Sequence, residues 1–257
     1  MVQDVHFGAL VYEYQAMDVV GPFDLINSAG RKIAEYAYNH GGVSKETVQK
    51  APNFIFHHIG ESLDPTRLLS SNFHIQPTDT IDSPPEIDYL LIGGPIPETF
   101  KFPQKYVDFI KRHHAAGKTI FTTCTGASAL ASTGILDGKN ATVNNLEYKW
   151  VASQYPKVNW SKDKKWVIDG NIWTGGGAVA GMDMFAHWLE KNYGKDVMIA
   201  GAMGMDFEPR DIDGMIGVVP LRYDASGKQI STTIFPNWRI VTVCHRSNFL
   251  SVGRQYK

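Results

Sequence analysis

The stretch KTIFTTCTGASALASTGILDG (Lys118–Gly138) carries a β-branched and aromatic segment, Thr119–Thr123, straight into Cys124. Such a segment reads as a short buried strand. Small residues follow (Gly126, Ala127, Ser128, Ala129, Ala131) in a helix-length run that ends at Gly134. A strand that turns directly into a helix through a reactive residue has the geometry of a nucleophile elbow. The side chain projects above the sheet, and the helix N-terminus lies behind it. Both features favour a thiolate, so the Cys124 pKa is expected below the free-thiol value of roughly 8.5. The competing reading is a small buried hydrophobe, as most free cysteines are.

The segments on either side alternate strand and helix. Val5–Tyr12 reads as a buried strand, and a loop leads to Asp18, just past the strand end. In an open parallel sheet ligands bind there, and Asp is also a favoured helix cap; one carboxylate can do both. The helix opening at Ala16 is expected to run on through Asn39, with Asn39–Lys50 a polar loop or insertion. Asn53–Ile59 and Phe73–Gln76 are strand candidates, with His57 and His58 as ordinary strand histidines rather than metal ligands. Asp79–Glu86, with two prolines, reads as a connection.

Tyr89–Gly93 is apolar throughout, as a doubly covered parallel strand is. It ends in Gly93-Gly94-Pro95, either a tight turn or part of an oxyanion hole. Gln104–Ala116 has helical periodicity and Gly117 as its stop. Ala141–Val143 reads as a strand and Leu146–Gln154 as a helix. Lys165–Thr174 reads as a hairpin turning at Asp169-Gly170 or Gly170-Asn171. Gly175-Gly176-Gly177 then enters a helix whose Met182, Phe185 and Trp188 form a core stripe. Gly176 and Gly177 suggest an anion cradle, though without phosphate-loop spacing, and close packing beside Cys124 is the preferred reading. Val197–Met205 reads as a helix, Ile216–Val219 and Thr232–Phe235 as candidate strands, and Cys244 as structural.

Composition narrows the classes. The 257 residues suit one sizeable α/β domain, and 43% hydrophobic content fills its core. A net charge of −1 leaves no basic stripe for nucleic acid. Two cysteines without CxxC spacing argue against a disulfide framework or structural zinc. No export signal or membrane-length apolar run is evident, so a cytoplasmic location is expected. The alternation through about residue 193 predicts a flavodoxin-like, doubly wound α/β sandwich with a mostly parallel sheet.

Three segments together resemble the ThiJ/PfpI superfamily, in particular its isonitrile hydratase branch. They are AMDVVGPFD (Ala16–Asp24), LIGGP (Leu91–Pro95) with TTCTGASALASTGILDGKNAT (Thr122–Thr142), and IDGNIWTGGGAVAGMDMF (Ile168–Phe185). The resemblance implies that Cys124 is the nucleophile, that Asp18 hydrogen-bonds its thiol, and that Thr125 stands where many peptidase- and deglycase-like members have histidine. It also implies that Gly93, Gly94 and the Thr125 amide stabilise an anion, with Gly176 and Gly177 close by. The implied activity is hydration of an isonitrile, a small electrophile, without metal or organic cofactor and in a homodimer. Glyoxalase or deglycase chemistry and a non-enzymatic redox sensor are the alternatives. The chain departs from the pattern where a hydratase-branch ATTHW-like string is replaced by ATVNN, placing Asn144 and Asn145 there. It also departs in an expected insertion around residues 30–52 of the one domain, and in the C-terminal part, residues 195–257.

Overall fold

The computed structural model describes residues 3–216 and 223–230. In chain order the first half holds β1 (Asp4–Leu10), α1 (Met17–Ala29), α2 (Arg31–Asn39), α3 (Lys45–Lys50), β2 (Asn53–Gly60), β3 (Thr66–Arg67), β4 (His74–Ile75), β5 (Asp79–Thr80) and β6 (Tyr89–Ile92). The second half holds α4 (Gln104–Ala115), β7 (Thr119–Thr123), α5 (Gly126–Ala131), β8 (Asn140–Thr142), α6 (Tyr148–Gln154), β9 (Asn159–Ser161), β10 (Trp166–Asp169), β11 (Ile172–Gly175), α7 (Ala178–Tyr193) and α8 (Lys195–Gly204).

Seven strands form the main sheet in the order β10-β11-β7-β6-β1-β2-β5, parallel except for β10. This is the flavodoxin-like, doubly wound arrangement. Its order reverses at β1, so a crevice opens beyond the carboxyl ends of β1 and β6. Helices α1, α7 and α8 pack on one another. Fully buried Phe7 of β1 meets the rings of Phe23 from α1, Phe185 and Trp188 from α7, and Tyr89 from β6. The stripe of Met182, Phe185 and Trp188 is buried as its spacing implied.

The structure differs from the sequence expectation in four places. The helix from Ala16 does not run to Asn39. It breaks at Gly30, which is extended (φ −73°, ψ 160°), and the Arg31 N–H turns away to the Pro52 carbonyl. The polar Asn39–Lys50 segment contains α3, capped by Ser44 Oγ on the Thr47 N–H at 3.0 Å. The proline-containing connection contributes β5 as the sheet edge. The helix behind Cys124 ends at Ala131, short of Gly134. The hairpin turns at Gly170-Asn171, with Gly170 at φ +62° and Asp169 paired to Ile172. Most of Ile216–Val219, all of Thr232–Phe235, and Cys244-His245 lie outside the described residues.

Close approach sets the spacing of the layers at the site. A Cβ on Gly126, the first residue of α5, would lie 2.3 Å from the Ile92 carbonyl oxygen of β6. A helical Gly→Ala change ordinarily stabilises by about 1 kcal/mol. At Gly126 the sign should reverse, because backbone has to move: Gly126→Ala is expected to lose about 1–3 kcal/mol. Urea unfolding checks this, and a stabilised variant would refute the packing argument.

Candidate active site

Three strand ends supply the site. Asp18 follows β1, Gly93-Gly94-Pro95 follows β6, and Cys124 follows β7. Cys124 has a left-handed backbone (φ +57°), which a residue with a Cβ adopts only when its surroundings impose it. They do so here: the Cys124 N–H bonds the Gly175 carbonyl at 2.9 Å, and Thr125 opens α5 at once. Only 8% of Cys124 is exposed. The clefts beside Trp166 and Asp183, beside Pro84 and Arg112, and beside Thr142 and Lys162 do not include Cys124 among their walls.

Asp18 is wholly buried in the first turn of α1. Its Oδ2 accepts the Gly94 N–H at 2.8 Å. Its Oδ1 is buried with no conventional hydrogen-bond partner among the described residues. Burial pushes the carboxyl up to about 7, while the Gly94 N–H and the Cys124 thiol draw it down. Pro22 adds a backbone feature. Lacking an N–H, it cannot close the helical bond to the Asp18 carbonyl four residues earlier. That carbonyl instead accepts Thr123 Oγ1–H at 2.9 Å, which ties α1 to β7.

The expected low thiol pKa is not what the structure supports. Burial, then the Asp18 carboxylate, push Cys124 up to about 11. The Thr125 N–H and the Asn144 amide pull the other way without overcoming them. Helix α5 is only six residues long, so its N-terminus is a weak counterweight. The resting state is therefore a thiol beside a carboxyl group poised near neutrality.

The other candidate residues fall around this pair. Thr125 is buried and gives its hydroxyl proton to the Pro95 carbonyl at 2.6 Å. The Gly94 N–H is engaged by Asp18, and a Cβ on Gly94 would sit 2.5 Å from Thr125 Oγ1 and 2.7 Å from Asp18 Oδ2. The Gly93 carbonyl accepts the Tyr12 hydroxyl at 2.7 Å. The Gly176 N–H bonds the Lys165 carbonyl, whereas Gly177, at the entry of α7, lies beside Asn144.

Two neighbours were not picked out as site residues by sequence reasoning. Asn144 places Nδ2 3.2 Å from Cys124 Sγ. The departure from the ATTHW-like string was its only signal. Tyr14 is fully buried, its hydroxyl has no partner among the described residues, and burial and then Asp18 raise its pKa. Nothing in its sequence context marks it. Among the described residues, no group of three or more His, Cys, Asp or Glu is arranged to hold a metal, and no helix is long and apolar enough to cross a membrane.

Residues 7–191 match the model of the DJ-1/PfpI family. The chain is 28% identical over 140 residues to the HTH-type transcriptional regulator GbdR of Pseudomonas aeruginosa, a match covering 54% of this chain and 38% of that protein. It thus spans well under half the length of that relative. It is 24% identical over 208 residues to the isonitrile hydratase of Pseudomonas putida, covering 80% of this chain and 79% of the relative. A solved ThiJ/PfpI family protein from Pseudomonas syringae superposes with a TM-score of 0.64 at 20% identity, over 82% of this chain and 78% of that one. This last likeness concerns the fold alone.

The raised Asp18 pKa predicts a stability signature. In the unfolded chain Asp18 has the ordinary carboxyl value of about 3.8, and in the folded protein burial pushes it up to about 7. Between those values the folded state binds the extra proton, so this group's contribution to stability falls as pH rises. It is fully lost above about 7. Asp18→Asn, which keeps an acceptor for Gly94, should therefore be more stable than the native chain at about pH 8 and nearly equal to it at about pH 4. Paired denaturation curves test this; an equal difference at both pH values would contradict the assignment.

Proposed function

The chain belongs to the DJ-1/PfpI family, and on that premise we propose that it is a cysteine-dependent hydratase acting on isonitriles, without metal or organic cofactor. The observation that carries the reading is Cys124 on its left-handed elbow at the strand ends that also hold the wholly buried Asp18 carboxyl, with threonine and asparagine as the sulfur's other partners and burial raising both acids. Such a pair is equipped to add S–H across one carbon atom. It has no imidazole to drive hydrolytic displacement.

In the proposed mechanism Asp18 Oδ1 takes the thiol proton as Cys124 Sγ attacks the terminal isonitrile carbon. The same proton then passes to that carbon, giving an N-substituted thioformimidate on Cys124. Water adds to the C=N carbon, one of its protons going to nitrogen. Collapse forms the C=O bond and breaks the C–S bond, and the remaining proton returns through Asp18 to sulfur. The products are an N-substituted formamide and the free thiol. The low exposure of Cys124 suits a slender electrophile whose reacting carbon is terminal. A homodimer of cytoplasmic location is part of the same proposal.

A second reading is a small-molecule or redox sensor. The observation favouring it is the likeness to a regulator; the buried thiol, pushed up by burial and Asp18, suits reversible ligand binding better than oxidation. Carbonyl chemistry of the glyoxalase or deglycase type is less well served, since Thr125 stands where many deglycase-like members have histidine.

Incubation with a simple alkyl or aryl isonitrile should yield the formamide, followed by NMR. Cys124→Ala should abolish turnover. Asp18→Asn should lower kcat by about 10²–10⁴, the span of a lost proton-transfer group. Saturable isonitrile binding by thermal shift with no formamide would favour the sensor reading; turnover retained in Cys124→Ala would remove sulfur from the mechanism.

A further inference from the structure

We propose that Asn144 is a catalytic residue whose side-chain N–H, held on Cys124 Sγ, stabilises sulfur both as it attacks and as it leaves. The inference rests on Cys124 being the reacting atom, not on the identity of the electrophile.

The orientation of the amide follows from its two contacts. Asn144 Oδ1 lies 2.9 Å from the Leu146 N–H, and a backbone donor requires the oxygen there. That leaves Nδ2 to face Sγ at 3.2 Å, within reach for a sulfur acceptor. The turn thus aims the donor. Gly177 leaves the space beside it clear, because even a Cβ there would stop 3.8 Å from Nδ2. Half-buried Asn144 is shielded enough for such a bond to count.

An amide neither gains nor loses a proton at working pH. In the position where an imidazole would offer a second base, this chain therefore has a fixed dipole, and the sulfur proton has one destination, Asp18. The charged and titratable groups around the pair are few. Asp18 comes from α1, with Tyr12 and Tyr14 just before it. Glu147 lies three residues after Asn144, with Glu98 beside it. Lys165 lies behind Gly176, paired with Asp183 of α7 at 3.2 Å. Among the described residues no hydrogen bond or ring contact of a histidine reaches Cys124.

The decisive variant is Asn144→Asp. It keeps an oxygen for the Leu146 N–H, so the turn is preserved, and Asn144→His separates loss of the donor from the added charge. A donor would be lost and a negative charge set against the sulfur. Iodoacetamide alkylation of Cys124, read on its own peptide by mass spectrometry across pH, reports this without any substrate. The Asn144→Asp chain should alkylate about tenfold or more slowly at mildly alkaline pH, the scale of a hydrogen bond to a charged group. Asn144→His should restore the donor and add a second ionisation to the profile. An Asn144→Asp profile that overlays the native one, or an Asn144→His profile with a single limb and no faster alkylation than Asn144→Asp, would overturn the assignment. Should isonitrile turnover be absent, the alkylation profiles still decide the role of Asn144.

Discussion

A carboxyl group buried to zero exposure with one backbone hydrogen bond is an expensive thing to build, and Asp18 is tied to its neighbours accordingly. Its side chain takes the N–H of Gly94 at the end of β6, and its main-chain carbonyl takes the hydroxyl of Thr123 at the end of β7. The second tie exists because Pro22 leaves that carbonyl without its helical partner. A single residue in the first turn of α1 thus links the ends of β6 and β7. The crevice at the reversal of strand order is closed by the same residue that is proposed to move its proton.

Strain and burial cooperate around this linkage. The left-handed backbone of Cys124 disfavours any residue with a Cβ, and the bond from its N–H to Gly175 holds it on β11. Gly94, Gly126 and Gly181 bring backbone close enough that added Cβ atoms would fall 2.3–2.5 Å from neighbouring atoms. Cys124 is little exposed and Asp18 wholly buried, and in that setting a negative charge on either is disfavoured. Asp18 and Cys124 are both raised, and the charge on one raises the other, so the site favours holding one proton between carboxyl and sulfur over ionising both groups.

The elements legible in the sequence were those encoded by local pattern. Thr119–Thr123 is β7 to the residue, Tyr89–Ile92 is β6, and the Gly170-Asn171 turn is one of the two that spacing allowed. The features that escaped depend on distant partners. Gly30 breaks a helix because Arg31 finds the Pro52 carbonyl, and no helical period contains that fact. Asn144 looked like a mere departure from a family string, because only the fold brings it to the sulfur of Cys124 twenty residues earlier. The thiol pKa was misjudged for a related reason. The helix terminus and small residues are visible in sequence, whereas the depth of burial and the facing carboxylate are not.

The replacement of an imidazole by an amide bears on which chemistry this scaffold can support. A histidine beside a cysteine can hold the proton while sulfur remains ionised, and so offers a base in addition to the carboxyl. With Asn144 and Asp18 the same carboxyl has to receive the proton, deliver it to the substrate and collect it again. Each delivery must precede the next collection, which suits a reaction that consumes the thiol proton in its first step. Addition to a terminal carbon does that, because the carbon attacked by sulfur is also the atom that needs the proton. The second half reuses the same carboxyl, which takes a proton as water adds and returns it to sulfur as the C–S bond breaks. The pairing of a titrating carboxyl with a non-titrating amide therefore routes each proton of the proposed reaction through Asp18, whatever group the electrophile carries behind its reacting carbon.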